Sequence, residues 1–187
     1  MRRRLGVSSL SCVPLVCSLL MPGAAPAGSL PRPPGESDPC ALLTPREIES
    51  VQGETVSETK SSRPERGRFA VSQCFYTLPT FSRSISLEVI RRDAARPAAA
   101  SPRDHWREIF HLDPGKGDGE AGDIESGGPQ PVPGVGDEAF WMSDGVVGAL
   151  YVLKGDVYLR VSLGGSDDPA ERIRKSKILA RKALARL

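Results

Sequence analysis

Four kinds of residue in this 187-residue chain have the chemistry to form a site: cysteines, two histidines, a cluster of acids with glycines, and a run of bases near the C-terminus. Cys40 and Cys74 are far apart in sequence. No CxxC or other metal-ligand spacing surrounds them, so pairing with each other reads better than a zinc site or a Cys/His catalytic pair built with His105 or His111. Those two histidines stand six positions apart, which puts them on different sides of a helix. Asp104 and Asp113 nearby do not complete a facial metal set, and the histidines read as surface residues. Gly117-Asp118-Gly119-Glu120-Ala121-Gly122 satisfies GxGxxG as a string. A dinucleotide site needs that string between a strand and a helix N-terminus, with donors facing the pyrophosphate. Here it falls in an acidic stretch that would repel phosphate. Asp113, Asp118, Glu120 and Asp123 lack the order of acids and glycine of a calcium loop. No GxSxG elbow occurs. These residues therefore predict no catalytic set, no metal site and no cofactor.

The basic run is the one strong charge asymmetry. Arg172, Arg174, Lys175, Lys177, Arg181, Lys182 and Arg186 oppose only Glu171. Ile173, Ala180, Leu184 and Leu187 recur at helical spacing and are expected to dock on a sheet. The bases then form either a solvated face that complements the helix dipole or a contact surface for an acidic partner or anionic membrane. Arg172, Arg174, Lys175, Arg181 and Lys182 are the candidates for that contact.

The ends of the chain set the context. Met1 to Arg4 is a short cationic segment, and Leu5 to Met21 is apolar with no charge. Ala24-Ala25-Pro26-Ala27 then offers small residues for a signal peptidase. Ser8, Ser9, Ser11, Pro14 and Ser18 dilute the apolar run, which falls short of the ~20 residues of a spanning helix. Cys12 and Cys17 lie inside that run rather than after it, which disfavours lipidation. The reading is a signal peptide over 1–27, an exported product in the periplasm or outside the cell, and a Pro/Gly/Ser-rich linker over 28–38.

Export changes the charge argument. The full chain has 25 Lys and Arg against 23 Asp and Glu. Cleavage removes Arg2, Arg3 and Arg4 with no acid, so 22 bases face 23 acids and nothing points to nucleic acid. About 160 residues remain, enough for one domain, expected to be a monomer. Of four cysteines only Cys40 and Cys74 survive cleavage, and an oxidising compartment favours their disulfide.

The elements that must position these groups are signalled by their caps. Thr44-Pro45-Arg46-Glu47 is a capping box with proline at the first helical position. Leu43 and Ile48 are placed for a hydrophobic staple, and Gly53 is placed to stop the helix. Ser101-Pro102-Arg103-Asp104 and Asp168-Pro169-Ala170-Glu171 repeat the device. The second of these three helices carries Trp106, Ile109 and Phe110 on one stripe. Alternation predicts strands over Phe69–Tyr76 and Thr80–Ile90, joined by a turn at Leu78-Pro79-Thr80. It also predicts a short strand Glu138–Met142 and a hairpin of Gly148–Leu153 with Val157–Leu163 across Lys154-Gly155-Asp156. Residues 112–136 read as a flexible Gly/Pro/acidic loop. The expected fold of residues 39–187 is α+β: a curved antiparallel sheet of about five strands with three helices packed on it.

Two stretches carry a resemblance. The first is Cys40-Ala41-Leu42-Leu43-Thr44-Pro45 with Glu47-Ile48, Gly53 and a later Cys74 before an aromatic. The second runs from Gly136-Asp137-Glu138-Ala139-Phe140-Trp141 through the Lys154-Gly155-Asp156 hairpin to the Lys/Ala-rich helix. Together they resemble bacterial exported proteins of the domain of unknown function 3558 type. That resemblance implies an α+β domain outside the cytoplasm, often on a lipoprotein, and it supplies no catalytic residues. The expected role is a non-catalytic binding domain for a protein partner or small ligand in the cell envelope. An envelope enzyme and a structural, surface-associated factor using the basic helix are the alternatives.

Overall fold

A computed structural model describes residues 38–64, 67–96, 100–111, 128–144 and 147–187. Residues 1–27, read above as a signal peptide, residues 28–37 of the expected linker, the GxGxxG string and the four acids Asp113, Asp118, Glu120 and Asp123 lie outside the described residues.

Among the described residues, three α-helices and seven strands form an α+β fold. The helices are α1 (Pro45–Gln52), α2 (Pro102–Phe110) and α3 (Pro169–Leu184). The strands are β1 (Glu58–Ser62), β2 (Phe69–Thr77), β3 (Ile85–Arg92), β4 (Gln130–Pro131), β5 (Glu138–Ser143), β6 (Gly148–Lys154) and β7 (Val157–Leu163). They make one open, wholly antiparallel sheet in the order β1-β2-β3-β7-β6-β5-β4.

All three caps form as their side chains dictate. Thr44 Oγ1 accepts from the Glu47 amide while the Glu47 carboxylate accepts from the Thr44 amide, and Gly53 ends α1 with φ +76°. Ser101 accepts from the amides of Arg103 and Asp104, and Asp168 accepts from that of Glu171. Each cap satisfies donors that the first helical turn leaves unpaired.

Side chains alternate across the sheet, so every strand serves two layers. On the first face Cys74, Tyr76, Ile85, Leu87, Val89, Trp141, Leu150, Val152, Leu159 and Val161 are buried beneath α1 and α3. The Cys40–Cys74 disulfide is present, with an S–S distance of 2.01 Å. It ties the turn before α1 to β2, and the Tyr76 hydroxyl donates to the carbonyls of Pro39 and Cys40 beside it.

Four details depart from the sequence reading. β1 and β4 raise the strand count to seven, and β4 with buried Val132 and Val135 occupies the end of the stretch expected to be loop to Gly136. β3 begins at Ile85 rather than Thr80, because Phe81–Arg83 forms a helical turn and Ser84 Oγ accepts from the Leu78 amide across it. The buried stripe of α3 is Arg172, Lys175, Ser176, Leu179, Ala180 and Ala183, while Leu187 is exposed. Small residues at 176, 180 and 183 let the helix lie close to β6 and β7.

Candidate functional site

The second face of the sheet is built differently at its two ends. α2 lies over one end and presents Trp106, which is buried against Val71, Ile90, Phe140, Leu153 and Tyr158. Trp106 Nε1 donates to Glu138, and His111 Nε2 lies 2.9 Å from the same carboxylate oxygen. Burial raises the Glu138 pKa, but His111 and Trp106 together outweigh it and hold the carboxyl below its usual range. Phe110 stacks on Phe140 at 4.7 Å and meets Tyr151 edge-on. The start of α2 is tied to the β6–β7 turn, where Asp156 accepts from Ser101 Oγ at 2.5 Å and from the Arg103 amide at 3.2 Å.

Beyond α2 the register brings polar residues into a single line. Ser62, Gln73, Glu88, Arg160 and Tyr151 are successive partners across β1, β2, β3, β7 and β6. Ser62 Oγ donates to Gln73 Oε1 at 3.1 Å. Gln73 Nε2 donates to Ser86 Oγ at 2.9 Å and to Glu88 Oε1 at 3.3 Å. Arg160 Nη1 reaches the same Glu88 oxygen at 3.5 Å, and Arg160 Nε donates to the Tyr151 hydroxyl at 3.1 Å. Glu88 is 4% exposed, so the line holds a buried carboxylate by a cation and an amide from its two neighbouring strands.

A groove of about 670 Å³ lies along the margin between these two ends. Its apolar part is Phe69, Val71, Ile90, Ile109 and Tyr158, and its polar part is Glu88, Arg160 and Tyr151. Arg68 and His105 stand at the rim. His105 stacks on Phe69 at 4.9 Å, and its Nδ1 lies 3.1 Å from Glu108, which also pairs with Arg68. The His105 contact is the main reason that the Glu108 carboxyl sits below its ordinary pKa.

The residues singled out by sequence are distributed elsewhere. His105 lines the groove and His111 is on the far side of α2 against Glu138, so the structure does not bring the two together. Among the described residues no group of three or more His, Cys, Asp or Glu side chains could hold a metal ion. Arg172 is buried with its guanidinium 6.0 Å from the Trp141 ring, and Lys175 pairs with Asp167 at 2.6 Å. Arg174 makes a two-bond pair with Glu171. Arg181 donates to the Gly134 carbonyl, and Lys182 reaches Glu47 at 3.3 Å. Gln73, Glu88, Tyr151 and Arg160 were not visible as a group from sequence. The only trace is that the strand phase opposite the core carries both charges and large apolar residues, as in Glu88 beside Ile90 and Arg160 beside Tyr158.

No family model matches the chain, and no curated protein matches it in sequence.

Proposed function

We propose that this is an exported, non-catalytic binding domain that takes a small ligand in the groove of its half-covered sheet face. The observation that carries the reading is the Gln73–Glu88–Arg160–Tyr151 line, a polar row joined by side-chain hydrogen bonds from strand to strand and set beside an apolar trough. Ligand sites combine an apolar lining with a few fixed polar groups in this way. The row is rigid because each member belongs to a different strand of one sheet, so it presents its polar atoms without prior rearrangement. Export is supported by the disulfide, which persists in oxidising compartments, and by the cationic and apolar segments over 1–27. The likeness to exported proteins of the domain of unknown function 3558 type agrees with both. Contact of α3 with an anionic surface ranks behind this reading, since Arg174, Lys175, Arg181 and Lys182 already have partners within the chain.

The test is a fragment-library screen by amide NMR on the disulfide-bonded, isotope-labelled chain. Hits are expected to shift Val71, Glu88, Ile90, Tyr158 and Arg160 together. A library whose hits scatter over the surface, or gather on α3, rejects the groove.

A further inference from the structure

The groove has a direction. Val71, Ile90 and Tyr158 are successive partners across β2, β3 and β7, and Gln73, Glu88 and Arg160 are partners in the same way two residues along each strand. Two residues of strand span about 7 Å. An apolar row therefore runs parallel to a polar row at that separation, with Phe69 and Ile109 closing the apolar side.

The two charges of the polar row are not equally presented. The Glu88 side chain is 5% exposed, and its Oε1 already receives Gln73 and Arg160. The Arg160 side chain is 27% exposed. Its Nε and Nη1 are engaged by Tyr151 and Glu88, while Nη2 has no hydrogen-bond partner among the described residues. The groove thus offers guanidinium donors, and the rim adds the half-exposed cation Arg68. Glu88 lies beside Arg160 on the neighbouring strand and balances its charge, so the guanidinium can sit at the foot of an apolar trough without an uncompensated buried cation.

Resting on the binding reading above, we infer that the ligand is a small amphipathic carboxylate, its apolar body in the Phe69–Val71–Ile90–Ile109 trough and its carboxylate on Arg160. A guanidinium holds a carboxylate through charge-assisted hydrogen bonds, and an alcohol of the same shape receives only neutral ones. The apolar body supplies the affinity and Arg160 supplies the choice.

The test compares octanoate, octanol and octylamine by amide NMR titration of the disulfide-bonded chain. Octanoate is expected to bind about tenfold more tightly than octanol, in line with one charge-assisted bond, and to shift Arg160, Tyr151 and Ile90. Arg160→Gln should bring octanoate down to the level of octanol. Because that variant leaves Glu88 without its cation, the double variant Arg160→Gln/Glu88→Gln repeats the comparison in a neutral background and should give the same loss of preference. Equal binding of acid and alcohol overturns the assignment, as does a preference for octylamine or an acid preference that survives the double variant. If no probe shifts the groove while library fragments do, the ligand class is wrong and the binding site stands. If the library also avoids the groove, both fall.

Discussion

Glu88 and Arg160 sit directly opposite each other on β3 and β7, with Glu88 Oε1 3.5 Å from Arg160 Nη1, although 72 residues separate them in the chain. Like neighbouring pairs in the same register, they meet only because β7 returns beside β3 after a helix and three strands have been laid down. Arg160→Gln alone should destabilise the fold by about 2–3 kcal/mol, since the buried carboxylate loses its cation. Adding Glu88→Gln should recover most of that loss. Urea denaturation of the two variants and the parent checks both statements.

The Cys40–Cys74 bridge closes a separation of 34 residues between the turn before α1 and a central part of β2. Replacing both cysteines with alanine should cost about 3–4 kcal/mol by the loss of that chain constraint. The expected readout is a lower denaturant midpoint in the double variant. Parent protein kept in strong reductant should show the same midpoint shift, and an unchanged midpoint in both would remove the bridge from any account of stability.

Glu47 joins the two ends of the domain. It completes the α1 capping box and accepts from Arg186 at 2.8 Å and Lys182 at 3.3 Å in α3 and its C-terminal end. Arg186 is the main cause that lowers its pKa from 4.5 to about 2. A carboxyl whose pKa is depressed on folding contributes stability above its unfolded value and loses it as pH falls through the folded one. The contribution, about 1–2 kcal/mol after solvent screening, should therefore be intact at pH 7 and fade between about pH 4.5 and 2. Glu47→Gln should lower stability at pH 7 and differ little from the parent at pH 2, which denaturation curves at the two pH values will show.

Gly148 begins β6 where the Trp141 ring crosses it, and a Cβ there would lie 2.0 Å from Trp141 Cζ2. Gly148→Ala should cost about 1–3 kcal/mol through overpacking. Tryptophan fluorescence should report the displaced ring, and an unshifted spectrum at parental stability would contradict the packing described.

How much of this was legible beforehand follows from the range of the signals. The caps at Thr44, Ser101 and Asp168 act within four residues, so their side chains announce the helices in any context. β1 had no such mark, because Glu58–Ser62 is exposed at every position and shows no alternation. β4 is two residues long and includes a proline. The docking stripe of α3 was legible only in part: Ile173, Ala180 and Leu184 pack against the core as expected, but Leu187 is exposed, and buried beside the other three are Arg172, Lys175 and Ser176. Their burial depends on Asp167, Trp141 and the sheet beneath, none of which a local pattern contains. The groove belongs to the same class: its members come from four strands and α2, and only the pairing register aligns them.

The polar, fully exposed β1 and the two-residue β4 are the outer strands of the sheet among the described residues. An extended chain seeking to add itself to a growing stack needs a long, flat, apolar border on which to template. One border here carries Glu58 and Lys60, and the other is interrupted by Pro131. The features that hid these strands from a hydrophobic pattern are the ones that make each margin a poor seed for cross-β growth.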